Sequence, residues 1–255
     1  MKGESDMKVL AIGNSFSQDA TTFLHQAAAA QGIALTAVNL YIGGCSLETH
    51  WKNWETDEAA YELQVNGRPA DRRVSVREML AEGGWDAVAT QQASHDSGWL
   101  DTYEPFLTWL VSGLRRAVPG ARLLLQETWA YEKGSGHWAF PRYRRDQGEM
   151  YERLRRNYAL MAQKHGMELI PCGTAVQRVR EQPGFRTEEG GLSLCRDGFH
   201  MSLDYGRYLL ALVWLKTLCG ADVTRNPWVP QSAVPVDEAL LRVIREQAER
   251  TCTKA

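Results

Sequence analysis

The chain has 255 residues, 44% hydrophobic and 24% charged, and its 29 basic and 31 acidic side chains give a formal net charge of −2. This composition excludes a disordered or collagen-like protein, and the small net charge argues against nucleic acid or an anionic membrane as partner. The N-terminal residues lack the apolar stretch of a signal peptide, and no apolar run reaches the ~18 residues of a membrane span. The sequence therefore predicts a cytoplasmic protein.

Five cysteines are scattered along the chain without C-x-x-C spacing: Cys45, Cys172, Cys195, Cys219 and Cys252. An odd number without such spacing predicts reduced thiols rather than a disulfide framework or a zinc site. The nine tryptophans are an unusually large number for this length, and several lie outside obvious core patterns. They suggest an aromatic-lined cleft.

The first elements along the chain form a repeating α/β unit. An apolar run at 8–13 ends at a glycine and predicts a strand, the alanine-rich stretch 18–31 predicts a helix, and the alternating segment 33–40 predicts a second strand. This strand–helix–strand order implies a parallel sheet. Asn66-Gly67 is typical of a tight hairpin turn instead, and we expect a hairpin beside the sheet.

The alternation then continues to the end of the chain. Helices are predicted at 76–82, 103–117, 143–165, 205–218 and 236–249, and strands at 85–90, 121–126 and 167–171. About five strands, each followed by a helix, predict a three-layer αβα sandwich with a central parallel sheet. No linker divides the chain, so we expect one domain over 1–255, with its core at about 8–219 and a C-terminal helix at about 236–249.

Ligands of an open parallel sheet bind beyond the carboxyl ends of its strands, so the loops after the strands are the candidate sites. Ser15 opens a helix just past the first strand, where it is either a nucleophile with an unpaired N–H or an ordinary helix cap. Gly44 follows the second strand, where glycine permits a positive φ. Its N–H is either an oxyanion donor or part of a tight turn.

Two amides follow the third strand, at Gln91 and Gln92, and an amide donor suits an oxyanion hole. The neighbouring His95 and Asp96 favour a solvated loop, because adjacent residues seldom hydrogen-bond as base and orienting carboxylate.

Asp197 lies three residues before His200, close before an apolar helix. A carboxylate at this spacing can accept from Nδ1–H and leave Nε2 facing a nucleophile. Such a pair is also common on protein surfaces, so alone it is a weak signal.

The order of these blocks is more informative than any one of them. The chain carries Gly13-Asn14-Ser15-Phe16-Ser17 after its first strand, Gly44 after its second, Gln91 after its third and Asp197-Gly198-Phe199-His200 near its end. In this order the chain resembles the SGNH (GDSL-type) serine hydrolase superfamily. The resemblance covers about Lys8 to Cys219, and within the superfamily it is to a bacterial branch of mostly uncharacterised members. One block departs from the pattern: the superfamily usually has G-x-N-D after the third strand, with asparagine as oxyanion donor, and this chain has glutamines.

The resemblance implies a flavodoxin-like αβα fold and a carboxylic-ester hydrolase. It implies that Ser15 is the nucleophile, His200 its base and Asp197 the carboxylate that orients the base. The oxyanion would be held by the N–H groups of Ser15 and Gly44 and by a side-chain amide, either that of Gln91, which is nearest the strand end and is favoured, or that of Gln92. It implies no metal or organic cofactor, and the sequence holds no glycine-rich phosphate loop.

The substrate is expected to be a small acyl ester, above all an O-acetyl group on a carbohydrate, without nucleic-acid or membrane partners. Asn14, Gln92 and Trp129 are the candidate substrate-binding residues. Five tryptophans in loops either stack on sugar rings or pack in the core: Trp51, Trp54, Trp99, Trp129 and Trp138. The alternatives are a GDSL-type lipase or esterase for lipid or other acyl esters, and a non-catalytic carbohydrate-binding relative. A nucleotide binder would need more Ser, Thr and Gly in the first loop.

Overall fold

The computed structural model describes residues 6–252, so the first residues of the N-terminal stretch considered above lie outside it. Within this range, seven strands form one sheet: β1 (Met7–Gly13), β2 (Leu35–Tyr41), β3 (Tyr61–Val65), β4 (Arg68–Val74), β5 (Ala87–Thr90), β6 (Arg122–Gln126) and β7 (Glu168–Ile170). Their order across the sheet is β4-β3-β2-β1-β5-β6-β7. Strands β2, β1, β5, β6 and β7 are neighbours that run parallel to one another. Strand β3 pairs antiparallel with β2, and β4 pairs antiparallel with β3.

The described range also contains nine α-helices: α1 (Ser15–Thr21), α2 (Leu24–Ala29), α3 (Leu47–Thr56), α4 (Val76–Ala81), α5 (Phe106–Ala117), α6 (Gln147–Lys164), α7 (Cys172–Arg180), α8 (Tyr205–Cys219) and α9 (Glu238–Cys252). Right-handed crossovers run in opposite directions from β1 to β2 and from β5 to β6, which places their helices on opposite faces of the sheet. Helices α1, α2, α7 and α9 contact α8, and α3 contacts α4 and α5. The fold is thus the predicted αβα class.

The hairpin is more than an appendage, because it extends the sheet itself from five strands to seven. Strand β3 pairs antiparallel with β2, which would otherwise expose its edge. Asn66 and Gly67 both have positive φ, 52° and 78°, as the tight turn requires. The Asn66 side chain also accepts a hydrogen bond of 2.9 Å from the Ala37 N–H of β2, which fixes the hairpin to its neighbour.

One predicted helix is corrected and two further helices were not predicted. The helix predicted at 18–31 is two short helices, the first of which begins at Ser15, and the unpredicted helices are α3 and α7. A signal for α3 was present: Ser46 caps it, and Leu47, His50 and Trp54 are its buried residues at i, i+3 and i+7. Among the described residues, no helix is both long and apolar enough to cross a membrane.

Strand β1 lies between β2 and β5, and the chain leaves it first toward one edge of the sheet and later toward the other. Beyond the carboxyl ends of such strands, the loops diverge and leave a crevice, which is where open α/β sheets bind ligands. The loops after β1, β2 and β5 therefore meet at one place, and these are the loops that carry Ser15, Gly44 and the two glutamines.

Candidate active site

The side chains of Ser15, His200 and Asp197 form a hydrogen-bonded chain in this crevice. Ser15 Oγ lies 2.9 Å from His200 Nε2, and His200 Nδ1 lies 2.6 Å from Asp197 Oδ2. Because a carboxylate only accepts, we assign the imidazole proton to Nδ1, which leaves Nε2 to accept the Ser15 hydroxyl proton. The arrangement can convert the serine into a nucleophile.

Ser15 owes its position to the end of β1 and to the residue that caps α1. The side chain of Asn14 accepts the N–H of Phe16 at 3.0 Å, and its amide donates to the Cys45 carbonyl at 3.0 Å. As the first residue of α1, Ser15 has a backbone N–H that lacks a partner within the helix. Asn14 borders the cleft, but its side chain holds together the loops after β1 and β2 rather than being free for a substrate.

Gly44 lines the same cleft as Ser15 and His200. Its φ of +64° lies in the left-handed region, where a residue with a Cβ is strained. The turn after β2 thus requires glycine, and it brings backbone rather than a side chain up to the serine. This is the geometry by which a backbone N–H can approach a substrate oxygen.

Asp197 is held as a carboxylate. Burial opposes its ionisation, but hydrogen bonds from the His200 ring and from the backbone N–H groups of His200 and Phe199 outweigh burial and keep the pKa of Asp197 below its usual value. The two backbone bonds, 2.7 Å from His200 and 3.1 Å from Phe199, converge on Oδ1 and leave Oδ2 for the ring. A charged Asp197 fixes the ring and favours its protonated form during proton transfer.

Asp19, one turn after Ser15 on α1, holds the loop that carries the acid and the base. It is fully buried and accepts hydrogen bonds from the Met201 N–H at 2.9 Å, Arg196 Nη1 at 3.1 Å and Arg207 Nε at 2.8 Å. Arg196 and Met201 flank that loop on its two sides, so the helix of the serine fixes both ends of it. The sequence interpretation missed Asp19, although a carboxylate within an apolar, alanine-rich stretch was a usable signal.

Gln91 does not reach the cleft, which corrects its expected place in the oxyanion hole. Its side chain is buried, and Nε2 donates to Asn14 Oδ1 at 2.6 Å. Its Oε1 accepts from Gln126, which in turn accepts from the indole N–H of Trp214 at 2.9 Å. This buried chain orients Asn14 from beneath, because buried amides require partners and the protein supplies them.

Gln92 and Trp129 also face inward, so neither is placed to bind substrate. Gln92 Oε1 accepts from the N–H of Leu47 at 2.9 Å, and its Nε2 donates to the carbonyl of Thr102 at 2.8 Å. Trp129 is fully buried, stacks on Phe16 at 4.0 Å and donates from its indole N–H to the Phe199 carbonyl at 2.7 Å. Both side chains support the loops around the cleft.

The cleft has a volume of about 240 Å³, and His95 and His137 contribute to its lining. Trp138 stands beside both rings, with centroids 5.2 Å and 5.6 Å away, and is 71% exposed. Trp51 and Trp54 lie on α3 rather than in a loop, the first against Trp109 and the second in the core, and Trp99 packs beside Arg142 and Arg153. Of the five tryptophans considered from sequence, Trp138 is the one at the rim.

The His95 ring lines the cleft, but it pairs with Asp96 rather than with the serine. His95 Nε2 lies 3.4 Å from Asp96 Oδ2, and Asp96 Oδ1 accepts from Arg142 at 2.8 Å. Burial lowers the pKa of His95, and the Asp96 charge opposes that shift. Within residues 6–252, no group of three or more His, Cys, Asp or Glu side chains is arranged to hold a metal ion.

The fold is that of the SGNH hydrolases. A candidate SGNH hydrolase from Slackia heliotrinireducens is 23% identical, with a TM-score of 0.58 over 83% of this chain and 98% of that one. A catalytic mutant of Axe2, an acetylxylan esterase from Geobacillus stearothermophilus, is 16% identical, with a TM-score of 0.56 over 86% and 97%. A comparison with curated proteins finds no match.

Within this class, the chain belongs to the DUF4886 family, a domain of unknown function whose profile matches residues 8–248. The crystal structure of a DUF4886 family protein from Bacteroides uniformis is 34% identical to it. The two superpose with a TM-score of 0.88, over 96% of this chain and 94% of that one.

Proposed function

We propose that this protein is a serine esterase that removes small acyl groups, above all O-acetyl groups from a carbohydrate. The observation that carries the proposal is the hydrogen-bonded chain from Ser15 to His200 to Asp197, with distances of 2.9 Å and 2.6 Å, at the crevice of an SGNH-type fold. The three groups have the chemical types and the order of contact that nucleophilic catalysis requires.

The mechanism follows from these contacts. His200 Nε2 takes the proton of Ser15 as the serine oxygen attacks the ester carbonyl, while the Asp197 carboxylate stabilises the imidazolium. The negative charge on the carbonyl oxygen is held by the N–H groups of Ser15 and Gly44. His200 then protonates the leaving alcohol, an acyl-enzyme forms on Ser15, and a water molecule deprotonated by His200 releases the acid.

The size of the cleft supports a small acyl group. Its volume of about 240 Å³ lies below the ~300–1,000 Å³ of pockets that take drug-sized ligands. A long acyl chain would leave most of its methylene groups in water and would gain little of the ~0.8 kcal/mol that each buried methylene contributes.

The alcohol part is proposed to be a sugar because of Trp138. The exposed Trp138 indole lies against His95 and His137, which line the cleft, and offers a flat apolar surface at its rim. Such a surface can cover the apolar face of a pyranose ring while the rim remains open to its hydroxyl groups. The acetylxylan esterase Axe2, which shares the fold, agrees with this choice.

The first experiment tests the serine. We expect a fluorophosphonate probe to label Ser15, located by peptide mass spectrometry, and Ser15→Ala to abolish both the labelling and the hydrolysis of p-nitrophenyl acetate in a folded protein. His200→Ala should lose at least about 10³-fold in kcat. The matched control is His25→Ala, because His25 bonds the Leu35 carbonyl away from the cleft, and it should keep the wild-type rate. A folded wild-type protein that neither reacts with the probe nor hydrolyses the ester would contradict the esterase function and favour the non-catalytic alternative.

The second experiment tests the substrate. We expect kcat/KM to fall from acetate to decanoate esters of p-nitrophenol, and acetylated xylooligosaccharides to be hydrolysed. Trp138→Ala should lower kcat/KM for the sugar ester by roughly 3- to 10-fold, as expected for one lost stacking contact, and leave p-nitrophenyl acetate unaffected. A preference for the decanoate would favour the lipid-ester alternative instead.

A further inference from the structure

With Gln91 turned inward, the cleft has another side chain available as a hydrogen-bond donor. Ser94 follows β5 in the same loop and lines the cleft together with Ser15 and Gly44. It is 7% exposed, and its Oγ lies 2.9 Å from Tyr131 Oη. A hydroxyl both donates and accepts hydrogen bonds, so whether Ser94 can donate to a substrate depends on the direction of its proton.

The tautomer of His137 determines the direction of that proton. The backbone N–H of Ala139 donates to His137 Nδ1 at 3.1 Å, and since a backbone N–H cannot accept, Nδ1 carries no proton. Burial, together with the charges of His95 and His200, lowers the pKa of His137 to about 4, so the ring is neutral at pH 7. Its one proton therefore lies on Nε2, which is 3.3 Å from Tyr131 Oη.

The Tyr131 hydroxyl links the His137 ring to Ser94. Its oxygen accepts from His137 Nε2–H, and its own proton is then directed to Ser94 Oγ. Burial raises the pKa of Tyr131 above its usual value, so the phenol keeps its proton throughout the neutral range. Ser94 is thereby made an acceptor toward Tyr131, and its own proton is left for a group in the cleft.

We propose that Ser94 donates this proton to the carbonyl oxygen of the ester and is the third oxyanion donor beside the N–H groups of Ser15 and Gly44. Tyr131 and His137 are positioning residues that act through Ser94. The inference rests on the proposed esterase function and deepens it. A donor that is oriented before the reaction costs little reorganisation when charge develops on the oxygen.

The test compares Ser94 with a serine of the same loop. We expect Ser94→Ala to lower kcat for p-nitrophenyl acetate by about 10- to 10³-fold with KM within about 2-fold, because the bond strengthens in the transition state. Ser94→Thr, which keeps the hydroxyl, should recover most of the loss. The control is Ser97→Ala, because the Ser97 hydroxyl bonds the Ser94 carbonyl within the core, and it should stay within about 3-fold of wild type.

The positioning role of Tyr131 has its own readout. Tyr131→Phe should lower kcat less than Ser94→Ala, and the double variant should cost no more than Ser94→Ala alone, because the phenol acts only through Ser94. Additive losses would overturn this role.

The two proposals fail in different ways. A wild-type protein without Ser15 labelling or hydrolysis contradicts the esterase function, whereas an active wild type whose folded Ser94→Ala variant keeps its kcat overturns only the role of Ser94. If the alanine variant does not fold, Ser94→Cys has nearly the same shape with a weaker donor. Its kcat should fall at unchanged KM, and a wild-type kcat would reject the proposal.

Discussion

At the scale of single residues, the candidate site depends on which polar atoms are already occupied within the protein. Asn14 and Gln91 both lie next to the serine in space, but their side chains bond to each other and to Cys45 and Gln126. His200 differs, because its Nε2 contacts the Ser15 hydroxyl in the cleft. A suitable residue type therefore does not by itself make an oxyanion donor, because its polar group must also be free of hydrogen-bond partners within the protein.

The pH dependence of the reaction tests the proposed general base. A base accepts the serine proton only in its neutral form, so kcat/KM for an acetyl ester should rise with pH through a single inflection. The pKa of Asp197 is held below its usual value and that of His137 is about 4, so neither group contributes to the rise above pH 5. Rates measured from pH 5 to 9 test this.

Two variants complete the pH experiment. Asp197→Asn should slow the reaction over the whole range, because the ring loses the partner that selects its tautomer. His95→Gln removes another imidazole of the cleft and should leave the inflection in place. If the inflection is lost in the His95→Gln variant, His95 rather than His200 is the base.

At the scale of elements, the buried carboxylate of Asp19 joins α1 to the segment before α8. Three donors converge on it, two of them from arginines, so the loop with the base is tied to the helix with the nucleophile. Segments near residue 19 and near residue 200 meet at this point, which explains how Ser15 and His200 keep a contact of 2.9 Å although they are far apart in sequence.

Asp19→Asn should be strongly destabilising, by about 3–5 kcal/mol, because two arginines lose the charge that compensates them. The residual folded protein should show a lower kcat with KM little changed, since the loop no longer holds the base in place. Urea unfolding and steady-state kinetics measure the two effects. The control is Glu48→Gln, which removes an exposed pair with Lys52 and should cost less than about 1 kcal/mol. Equal costs for the two variants would contradict the role of Asp19.

Glu127, directly after β6, predicts a pH-dependent stability. Burial raises its pKa to about 7, although the N–H and hydroxyl of Thr174 donate to the carboxylate. Between the unfolded pKa of ~4.3 and the folded one, the native state holds a proton that the unfolded state has lost, so this group's contribution to stability falls as the pH rises.

Glu127→Gln removes that titration. The free energy of unfolding of wild type minus that of the variant should therefore decrease by roughly 3 kcal/mol from pH 4 to pH 8. The buried His50 and the half-buried His137 titrate in both proteins, so their contributions cancel in the difference. Urea unfolding at several pH values gives the free energies of unfolding. If their plots against pH are parallel for the two proteins, the raised pKa of Glu127 is refuted.

At the scale of the whole molecule, one hydrophobic core joins the first strand to the last helix of the described range. It includes Leu10 of β1, Leu124 of β6, Trp214 of α8 and Ile244 of α9. Helix α8 is apolar on nearly all sides because it lies among α1, α2, α7 and α9. The site is assembled on this common framework rather than between separate units.

A single core predicts a single cooperative unfolding transition. We expect urea curves followed by far-ultraviolet circular dichroism and by tryptophan fluorescence to coincide, since the nine tryptophans are spread over residues 51–228. Two separated transitions would show that the chain divides into independent domains.

The sequence by itself determined the features that depend on local chemistry. Alternating strands and helices, the Asn66-Gly67 turn and the fold class follow from periodicity and from φ preferences, which neighbouring residues decide. The predicted contact of Ser15 with His200 agrees with the geometry, in which Ser15 opens α1 directly after β1 and His200 lies in the loop before α8. Their catalytic roles stay predictions.

Only the tertiary structure decided which side chains of a loop face the cleft. Gln91 and Ser94 lie three residues apart, and no periodicity orients the residues of a loop. The amide of Gln91 found buried partners, so it turned inward, and the hydroxyl of Ser94 came to line the cleft. Asp19 and His137 were likewise placed by partners distant in the chain. Hydrogen-bond satisfaction is a property of the packed molecule, so only the packed molecule reveals it.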